Sequence, residues 1–391
     1  MTTEVLADPA AEDWRAGGFG VYVHWPFCLA KCPYCDFNSH VSREVDQDAW
    51  RAALLAELRA ARALSGPRRA GSLFFGGGTP SLMPAETVAA VIEAVDALWG
   101  LEPGAEVTLE ANPTSVEAGR FRAYAAAGVN RVSMGVQALN DADLKALGRR
   151  HTAAEARAAF DVARAAFERV SFDLIHARQG QSVAAWEAEL AEALAMAVDH
   201  LSLYQLTIEP GTRFAELHDR GRLRGLPPDA RAAEMYAVTQ GLTEAAGMPA
   251  YEISNHAAPG AESRHNLVYW RSGDFAGVGP GAHGRLTVAG RRLATETARE
   301  PDRWLDAAGR PEAIRSEPVE AGDRAAEYLI MALRLAEGAD PARFARLAGA
   351  PLPEARVAAL IEDGLLVRRA GRLTATAEGR PLLDAILRDL L

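Results

Sequence analysis

Cysteine is scarce in this 391-residue chain, and its placement is the most informative feature of the sequence. The three cysteines, Cys28, Cys32 and Cys35, lie within a run of eight residues. A disulfide with one spare thiol is disfavoured, because the sequence shows no secretory signal and cytosolic thiols remain reduced. Three thiolates so close together on one loop indicate a metal site.

Other absences narrow the class of protein. No apolar run is long enough to span a membrane, and the net charge of -10 without a dense basic patch opposes broad nucleic-acid binding. The first residues are partly acidic and carry no apolar run, so we expect neither a signal peptide nor a transit peptide. With 49% hydrophobic residues, the chain predicts a cytoplasmic globular protein with one large domain and a smaller one.

The cysteine spacing favours an iron-sulfur cluster over other metal sites. Thiolates are the soft ligands that such clusters prefer, and three of them hold three corners of a cubane. The fourth iron is then free to bind and activate another molecule. A zinc site is the alternative, and it requires a fourth ligand, which His24 or His40 is placed to supply.

Short β-rich runs alternate with alanine-rich amphipathic segments over the first 206 residues, which is typical of a parallel sheet built from βα units. Six units are present, whereas eight would close a barrel. We therefore predict an α/β fold with a partial (β/α)6 barrel, open on one side, whose functional centre lies at the carboxyl ends of the strands. The predicted strands are 19–25, 72–75, 106–111, 131–136, 170–175 and 201–206, and the helices are 47–64, 85–98, 116–127, 141–167 with a break, and 183–197.

Glycine and polar residues follow the predicted strands at this end of the barrel. The run 76–78 precedes Thr79 after the second strand, and glycine allows a ligand to approach the backbone closely, although a tight turn explains the run equally well. A carboxylate that ends an apolar strand is costly unless it is paired or bound. Four side chains, each of which by itself is also explained by a salt bridge or a cap, surround one predicted opening: Glu110, Gln137, Arg149 and Asp173.

The cysteine spacing, with Tyr34 immediately before the last cysteine, resembles the signature of the radical S-adenosylmethionine (SAM) superfamily. The resemblance implies a [4Fe-4S] cluster on Cys28, Cys32 and Cys35, whose free iron is chelated by the amino and carboxylate groups of SAM. It further implies one-electron cleavage of SAM to a 5'-deoxyadenosyl radical, with Tyr34 against the adenine.

From Tyr22 to beyond Trp270, the motifs are similar to those of the oxygen-independent coproporphyrinogen III oxidase family and its HemW-type heme-chaperone relatives. His176 and Gln179 depart from the tyrosine and proline that are more frequent in this family, in the loop after Asp173. The resemblance implies SAM contacts at Tyr22, Gly77, Gly78, Thr79, Glu110, Gln137, Arg149 and Asp173, with Thr207 near the adenosine.

Two features separate the branches of this family. The oxidase has a further cysteine where this chain has Phe37. The oxidase also has a long amino-terminal extension that covers its substrate, whereas only 18 residues precede Phe19 here. Both differences favour the heme-chaperone branch.

His265, Tyr269 and Trp270 match the heme-chaperone motif. Imidazole is a good axial ligand for heme iron, and the adjacent aromatic residues supply the apolar faces that a porphyrin requires. The alternative is a histidine satisfied by hydrogen bonds in a loop flanked by core aromatics. His256 and His283 are weaker candidates, and the glycines around His283 favour a structural role.

The last part of the chain predicts a small winged-helix-like domain. Its helices are predicted at 325–336, 341–348, 353–363 and toward 391, with a hairpin at 365–367 and 372–374. Winged helices often bind DNA, but this module follows a barrel in an acidic protein, so no nucleic acid is expected. The predicted domains are a flexible segment 1–17, the barrel with the heme-motif region 18–310, and the C-terminal domain 311–391, joined by a charged stretch 309–318.

Two main functions of different class, and a third possibility, follow from these features. The favoured one is a heme chaperone that binds heme and a SAM-coordinating [4Fe-4S] cluster and transfers heme to an acceptor apoprotein, with an electron donor such as a flavodoxin. The second is an enzyme in the strict sense, a coproporphyrinogen III oxidase that decarboxylates two propionates to vinyl groups through the adenosyl radical. Another radical SAM reaction on a small substrate is the third.

Overall fold

The predicted alternation of strands and helices is present in the computed structural model, which describes residues 13–42 and 44–391. The strands, in chain order, are β1 (Phe19–Trp25), β2 (Phe27–Cys28), β3 (His40–Val41), β4 (Ala70–Gly77), β5 (Leu101–Ala111), β6 (Arg131–Gln137), β7 (Arg169–His176), β8 (His200–Gln205), β9 (Asn255–Ala257), β10 (Asp274–Val278), β11 (His283–Val288), β12 (Arg291–Glu296), β13 (Arg315–Pro318), β14 (Leu366–Arg369) and β15 (Arg372–Ala375). The helices are α1 (Gln47–Ser65), α2 (Ala85–Trp99), α3 (Ser115–Ala118), α4 (Phe121–Ala126), α5 (Asp141–Ala146), α6 (Ala153–Ala166), α7 (Val183–Met196), α8 (Arg213–Asp219), α9 (Asp229–Ala245), α10 (Arg264–Trp270), α11 (Pro301–Ala307), α12 (Ala321–Ala332), α13 (Pro341–Ala348), α14 (Glu354–Glu362) and α15 (Leu383–Leu390).

The six predicted barrel strands, β1 and β4 to β8, lie side by side in chain order and are all parallel. Fully buried residues such as Val23, Phe75 and Leu109 pack this sheet against the surrounding helices. The partial (β/α)6 barrel is therefore confirmed. Parallel pairing also brings the carboxyl ends of these strands to one edge, where the polar residues predicted from the sequence follow them.

The sheet extends beyond the six predicted strands. β10 pairs in parallel with β1, β11 to β13 continue from it as antiparallel neighbours, and β9 pairs with β8 at the opposite edge, giving 11 strands among the described residues. The glycines in and beside β10 interrupt the apolar pattern from which a strand is predicted, so the sequence did not indicate this strand. One of them is required, since a Cβ on Gly277 would lie 2.1 Å from the carbonyl oxygen of His283.

The break in the predicted helix 141–167 is confirmed, and it has a role in positioning the site. α5 ends at Ala146 and α6 begins at Ala153, where Thr152 and Glu155 form a capping box. Between the two helices, Gly148 has a φ of 69°, which turns the chain. This turn directs Arg149 toward the cysteine loop.

Two segments near the predicted domain boundaries contact distant parts of the chain. Residues 1–12 of the predicted flexible segment 1–17 lie outside the described residues, whereas Asp13–Ala16 forms a 3-10 turn. That turn is held because Asp13 pairs with Arg343 at 2.8 Å. β13, which lies within the predicted C-terminal domain and the predicted linker 309–318, pairs with β12 and therefore belongs to the large sheet.

The C-terminal helices and hairpin are present as predicted, with α12 beginning four residues earlier at Ala321. Leu329, Leu360 and Leu373 belong to a separate apolar core, and β14 pairs with β15. The ion pair between Arg285 of β11 and Glu327 of α12, at 2.8 Å, joins this domain to the barrel sheet. In the part of the chain that the structure describes, no helix combines the length and apolarity needed to cross a membrane.

Candidate functional site

The loop that carries the cysteines is anchored at both of its ends. β2 pairs with β3, and the backbone N–H of His40 donates to the carbonyl of Pro26 at 2.7 Å. The N–H of Ser42 donates to the carbonyl of Cys28 at 3.3 Å. Since Pro26 follows β1 directly, these bonds hold the loop at the carboxyl-terminal edge of the barrel.

Each thiol contacts a different polar neighbour. Thr79 Oγ1 donates to Cys28 Sγ at 3.4 Å, and Arg149 Nη1 donates to Cys32 Sγ at 3.3 Å. Cys35 Sγ lies 3.9 Å from the hydroxyl of Ser39. Donors and a positive charge beside sulfur favour the thiolate, which is the metal-binding form, whereas burial raises the pKa of the Cys28 thiol.

The zinc alternative requires His24 or His40 as a fourth ligand beside the three cysteines. Among the described residues, no three histidine, cysteine or acidic side chains are grouped to hold a single metal ion. A cubane cluster does not need such a group, because each thiolate binds a different iron. His24 is also occupied, since Tyr22 Oη lies 2.9 Å from its Nδ1 and the carbonyl oxygen of Asn38 lies 2.9 Å from its Nε2.

The three cysteines line one cavity of about 740 Å³, open mouth included, which we call the cysteine cavity. The structure brings to this cavity eight of the residues predicted to contact SAM. They are Tyr34, Gly77, Gly78, Thr79, Glu110, Gln137, Arg149 and Asp173.

Arg149 and Asn112 connect two of the cysteines through hydrogen bonds. Arg149 Nη2 donates to Asn112 Oδ1 and to the carbonyl of Gly135, both at 2.6 Å. Asn112 Nδ2 donates to Thr79 Oγ1 at 3.1 Å, and Thr79 contacts Cys28. Sequence reasoning missed Asn112 as a site residue, although its position directly after β5 is the signal that identified its neighbours.

Two acidic side chains lie in the cysteine cavity. Burial, and secondarily the charge of Asp173, raise the pKa of Glu110 from 4.5 to about 8, although Glu110 accepts a hydrogen bond from Gly77 N at 3.1 Å. Burial raises the pKa of Asp173 to about 6, against the opposing effect of the Ser202 hydroxyl and the charges of Arg131 and Arg149. A cationic ligand in this cavity would favour the ionised form of both acids.

Gln137 shows two signs of a binding position. Its φ is 72°, which is uncommon for a residue other than glycine and costs free energy. Its buried Oε1 has no hydrogen-bond partner among the described residues, whereas buried polar atoms are normally paired. A polar ligand in the cysteine cavity would supply the missing partner.

The glycine run has a packing role within the structure. A Cβ on Gly77 would lie 2.6 Å from Cε1 of His24, and a Cβ on Gly78 would lie 2.8 Å from the carbonyl of Phe27. These positions must be glycine for β4 to pack against the end of β1 and the start of the cysteine loop. Their contact with SAM stays a prediction.

Two of the predicted SAM contacts do not face the cysteine cavity. Tyr22 lies farther down β1, where its ring is stacked 5.9 Å from that of His265. Thr207 follows β8 and is exposed. The family pattern named both residues, but the direction of a side chain depends on the barrel geometry.

The residues of the predicted heme motif lie on α10. The His265 side chain is 7% exposed, and its ring lies 4.2 Å from that of Phe74. Burial lowers the pKa of His265 to about 3, so its imidazole is neutral. Tyr269 lies 4.7 Å from His265, whereas Trp270 packs elsewhere, with the Arg334 guanidinium 4.6 Å from its ring.

Comparisons with known proteins agree with this geometry. Residues 22–193 match the radical SAM superfamily and residues 319–382 match the HemN C-terminal domain. The chain is 38% identical to the heme chaperone HemW of Escherichia coli (strain K12), over 94% of this chain and 96% of that protein. The chain belongs to the HemW branch of the radical SAM family. Membership in that superfamily implies a [4Fe-4S] cluster and SAM as its cofactors.

Other relatives extend this assignment. The radical S-adenosyl methionine domain-containing protein 1, mitochondrial, of Mus musculus is 40% identical over 99% of this chain and 90% of that protein. Coproporphyrinogen III oxidase (HemN) from Escherichia coli, a radical SAM enzyme of known structure, is similar with a TM-score of 0.79 and 21% identity, over 96% of this chain and 92% of that chain. The structural similarity shows the shared fold.

Proposed function

We propose that this protein is a heme chaperone, which binds heme and a SAM-coordinating [4Fe-4S] cluster and passes heme to an acceptor protein. The observation that carries the proposal is the 38% identity to the Escherichia coli heme chaperone HemW over 94% of this chain. The similarity thus covers the barrel, the α10 region and the C-terminal domain together. Similarity confined to the radical SAM segment would support only the cofactor chemistry.

Cys28, Cys32 and Cys35 would hold the cluster. They line one cavity, and the residue two positions after the last of them, Phe37, offers no thiol. When bound, the cluster and SAM together supply one-electron chemistry. The chain itself would contribute the positive charge of Arg149 beside Cys32 and the anchoring of the loop by β2 and β3.

The polar lining of the cysteine cavity fits SAM, which carries an ammonium, a sulfonium and a carboxylate. Glu110 and Asp173 would favour the cationic groups, and Arg149 would favour the carboxylate. Gln137 would pair its unsatisfied Oε1 with a donor of the ligand. Backbone groups of Gly77 and Gly78, with Thr79, would contact the amino group, and Tyr34 would lie against the adenine.

Heme uptake would use the barrel side that carries Tyr22, Tyr269 and α10. The assignment of His265 as axial ligand stays a prediction, as do roles for Trp270 and Thr207. We further propose a cytoplasmic location, an acceptor apoprotein and a flavodoxin-like electron donor. Reduced thiols require a reducing compartment, and fractionation of cells followed by immunoblotting tests the location.

A reconstitution experiment tests the chaperone proposal. Protein prepared without oxygen, with iron, sulfide and SAM, is mixed with hemin and then with a purified heme-free globin as a generic acceptor. We expect a Soret band from hemin bound to the protein. With reductant, we expect heme to move to the globin faster from the wild-type protein than from the triple variant Cys28→Ala, Cys32→Ala, Cys35→Ala. Absence of hemin binding by the wild-type protein would refute the chaperone function.

The oxidase is the second candidate, because the structure resembles coproporphyrinogen III oxidase throughout its fold. The same reconstituted protein is incubated with coproporphyrinogen III, SAM and a reductant, and the porphyrins are separated by chromatography. We expect no protoporphyrinogen. Its formation at a catalytic rate would reverse the ranking of the two functions.

A further inference from the structure

A second cavity opens on the side of the barrel, between the strands β1, β10 and β11 and the helix α12. Its volume is about 1080 Å³, open mouth included, and we call it the lateral cavity. Its apolar lining comes from the aromatic and aliphatic residues Tyr22, Tyr269, Phe275 and Met331. A large flat ligand with apolar faces fits such a lining.

His283 is the exposed histidine of the lateral cavity. It begins β11, and its backbone is fixed because it pairs with Glu296 of β12. The preceding turn is closed by Thr297, whose hydroxyl donates to the carbonyl of Gly279 at 2.6 Å and accepts from Ala282 N at 3.0 Å. Within the described ranges, no hydrogen bond engages the imidazole of His283. The rigid backbone therefore presents a ring whose nitrogens are not engaged.

The other histidines near this cavity are less available. Both ring nitrogens of His24 are hydrogen-bonded, to Tyr22 and to the carbonyl of Asn38. His265 is only 7% exposed and lies behind Tyr22, Phe74 and Tyr269, with its ring stacked on Phe74. An axial ligand must direct an imidazole lone pair at a metal in an open space, and of these three histidines only His283 combines exposure with unengaged nitrogens.

The remaining lining suits the edge of a heme. Tyr269 and Phe275 place their ring centroids 4.1 Å apart with an angle of 38° between the planes, which gives one apolar wall. Arg285 is 26% exposed at the cavity and is paired with Glu327. Its guanidinium already binds the carboxylate of Glu327 at the mouth, and a heme propionate would take the place of that carboxylate.

We propose that heme binds in the lateral cavity with His283 as the ligand to its iron, while His265 forms part of the wall behind Tyr22. This inference rests on the proposed heme-chaperone function and names the site for its cargo. It replaces the family-based choice of His265 by a choice based on exposure and hydrogen bonding.

Hemin titration of single variants tests the assignment. His283→Ala, His265→Ala and the matched control His218→Ala, an exposed histidine on α8 whose side chain is 55% exposed, are compared after circular dichroism has confirmed the fold. We expect His283→Ala to shift the Soret maximum and weaken hemin binding about tenfold or more, with the control unchanged. Free imidazole added to His283→Ala should restore the wild-type spectrum.

Two further measurements test separately whether the porphyrin binds in the lateral cavity and whether His283 binds its iron. Iron-free protoporphyrin IX should bind wild-type protein and His283→Ala equally, because only the iron bond has been lost. Met331→Trp fills the lateral cavity and should weaken both porphyrins. If wild-type protein binds no hemin, the chaperone function itself fails. If wild-type protein binds hemin but His283→Ala and Met331→Trp are indistinguishable from it, or if His265→Ala alone removes the ligand spectrum, the present inference is overturned.

Discussion

The cysteine cavity and the lateral cavity share a wall but are built in opposite ways. His24 packs against Gly77 of the cysteine cavity and, with Tyr22, lines the lateral cavity. The cysteine cavity carries polar side chains on about half of its surface, and its lining comes from the carboxyl-terminal parts of successive parallel strands and the loops after them, between residues 28 and 173. The lateral cavity is largely apolar, and it joins β1 to strands and a helix more than 200 residues away in the sequence.

This difference shows how two kinds of site arise in one sheet. Repeated βα units bring the residues at the carboxyl end of every strand to one edge of the sheet. Side chains of a site at this edge can therefore be predicted from the local sequence. The lateral cavity exists only because the chain returns to place β10 beside β1 and α12 beside β11. The cysteine cavity therefore follows from a repeated unit, whereas the lateral cavity forms only when distant parts of the chain pack together.

Removal of one cluster ligand gives the largest expected effect and tests whether the two cavities act separately. In Cys32→Ala, the cluster loses one of three ligands, so we expect its visible absorption and its electron paramagnetic resonance signal after reduction to disappear. Hemin affinity should stay within about twofold, because Cys32 does not line the lateral cavity. The control Lys145→Ala, at an exposed position on α5, should retain both. Parallel loss of hemin binding in Cys32→Ala would contradict the separation.

Asp274 pairs with Arg292, which lines the lateral cavity, and its removal gives the next largest effect. This carboxylate is fully buried, pairs with Arg68 at 2.6 Å and Arg292 at 3.0 Å, and accepts from Thr287. Asp274→Ala leaves buried guanidinium groups unpaired, which costs about 3–5 kcal/mol in the free energy of unfolding.

Urea denaturation monitored by fluorescence measures this change. Asp219→Ala, whose side chain is 80% exposed, is the control and should change stability by less than about 0.5 kcal/mol. We expect hemin affinity to fall in Asp274→Ala while the cluster still assembles. If Asp274→Ala is as stable as the wild-type protein, the ion pairs of Asp274 with Arg68 and Arg292 do not stabilise the fold.

Glu110 makes the cysteine cavity sensitive to pH. Because its pKa is raised from 4.5 to about 8, the folded state binds a proton that the unfolded state releases, and stability falls as pH rises between these values. Because the cysteine cavity opens to solvent, screening reduces the effect, and we expect a loss on the order of 2–3 kcal/mol in cofactor-free protein.

Unfolding free energies measured between pH 5 and pH 8 in wild-type protein and Glu110→Gln check this slope. The amide cannot ionise, so the variant should show a flatter pH dependence and higher stability at the alkaline end. Glu192→Gln, on a half-exposed carboxylate, should keep the wild-type slope. An unchanged slope in Glu110→Gln would assign the pH dependence to another group.

The ion pair across the mouth of the lateral cavity gives the smallest effect. Arg285 and Glu327 are 26% and 32% exposed, so water screens their attraction. A double-mutant cycle with Arg285→Ala and Glu327→Ala should yield a coupling of about 0.2–1 kcal/mol. A coupling above about 2 kcal/mol would mean that the pair locks α12 onto the sheet instead of marking an opening.

Much of the cysteine cavity was predictable because position in a parallel strand determines it. Glu110 and Asp173 were identified by their places toward the carboxyl ends of predicted strands, and both line the cysteine cavity, although Asp173 lies within β7. Asn112 shares that position but was missed, since its role depends on hydrogen bonds to Arg149 and Thr79. His283 was assigned a structural role because of its glycine neighbours, yet Gly277 and Gly284 allow β11 to pair closely with β10, and His283 is exposed.

The sequence by itself determined the grouping of the three cysteines on one loop, the six βα units and the edge of the sheet on which the polar residues lie. These features depend on spacing and on side-chain periodicity, which are local properties of the chain. Tertiary structure alone decided which histidine is exposed, which tyrosine faces which cavity and that α12 of the C-terminal domain lies beside β11. Exposure and close approach depend on contacts between residues far apart in sequence, and no local pattern encodes them.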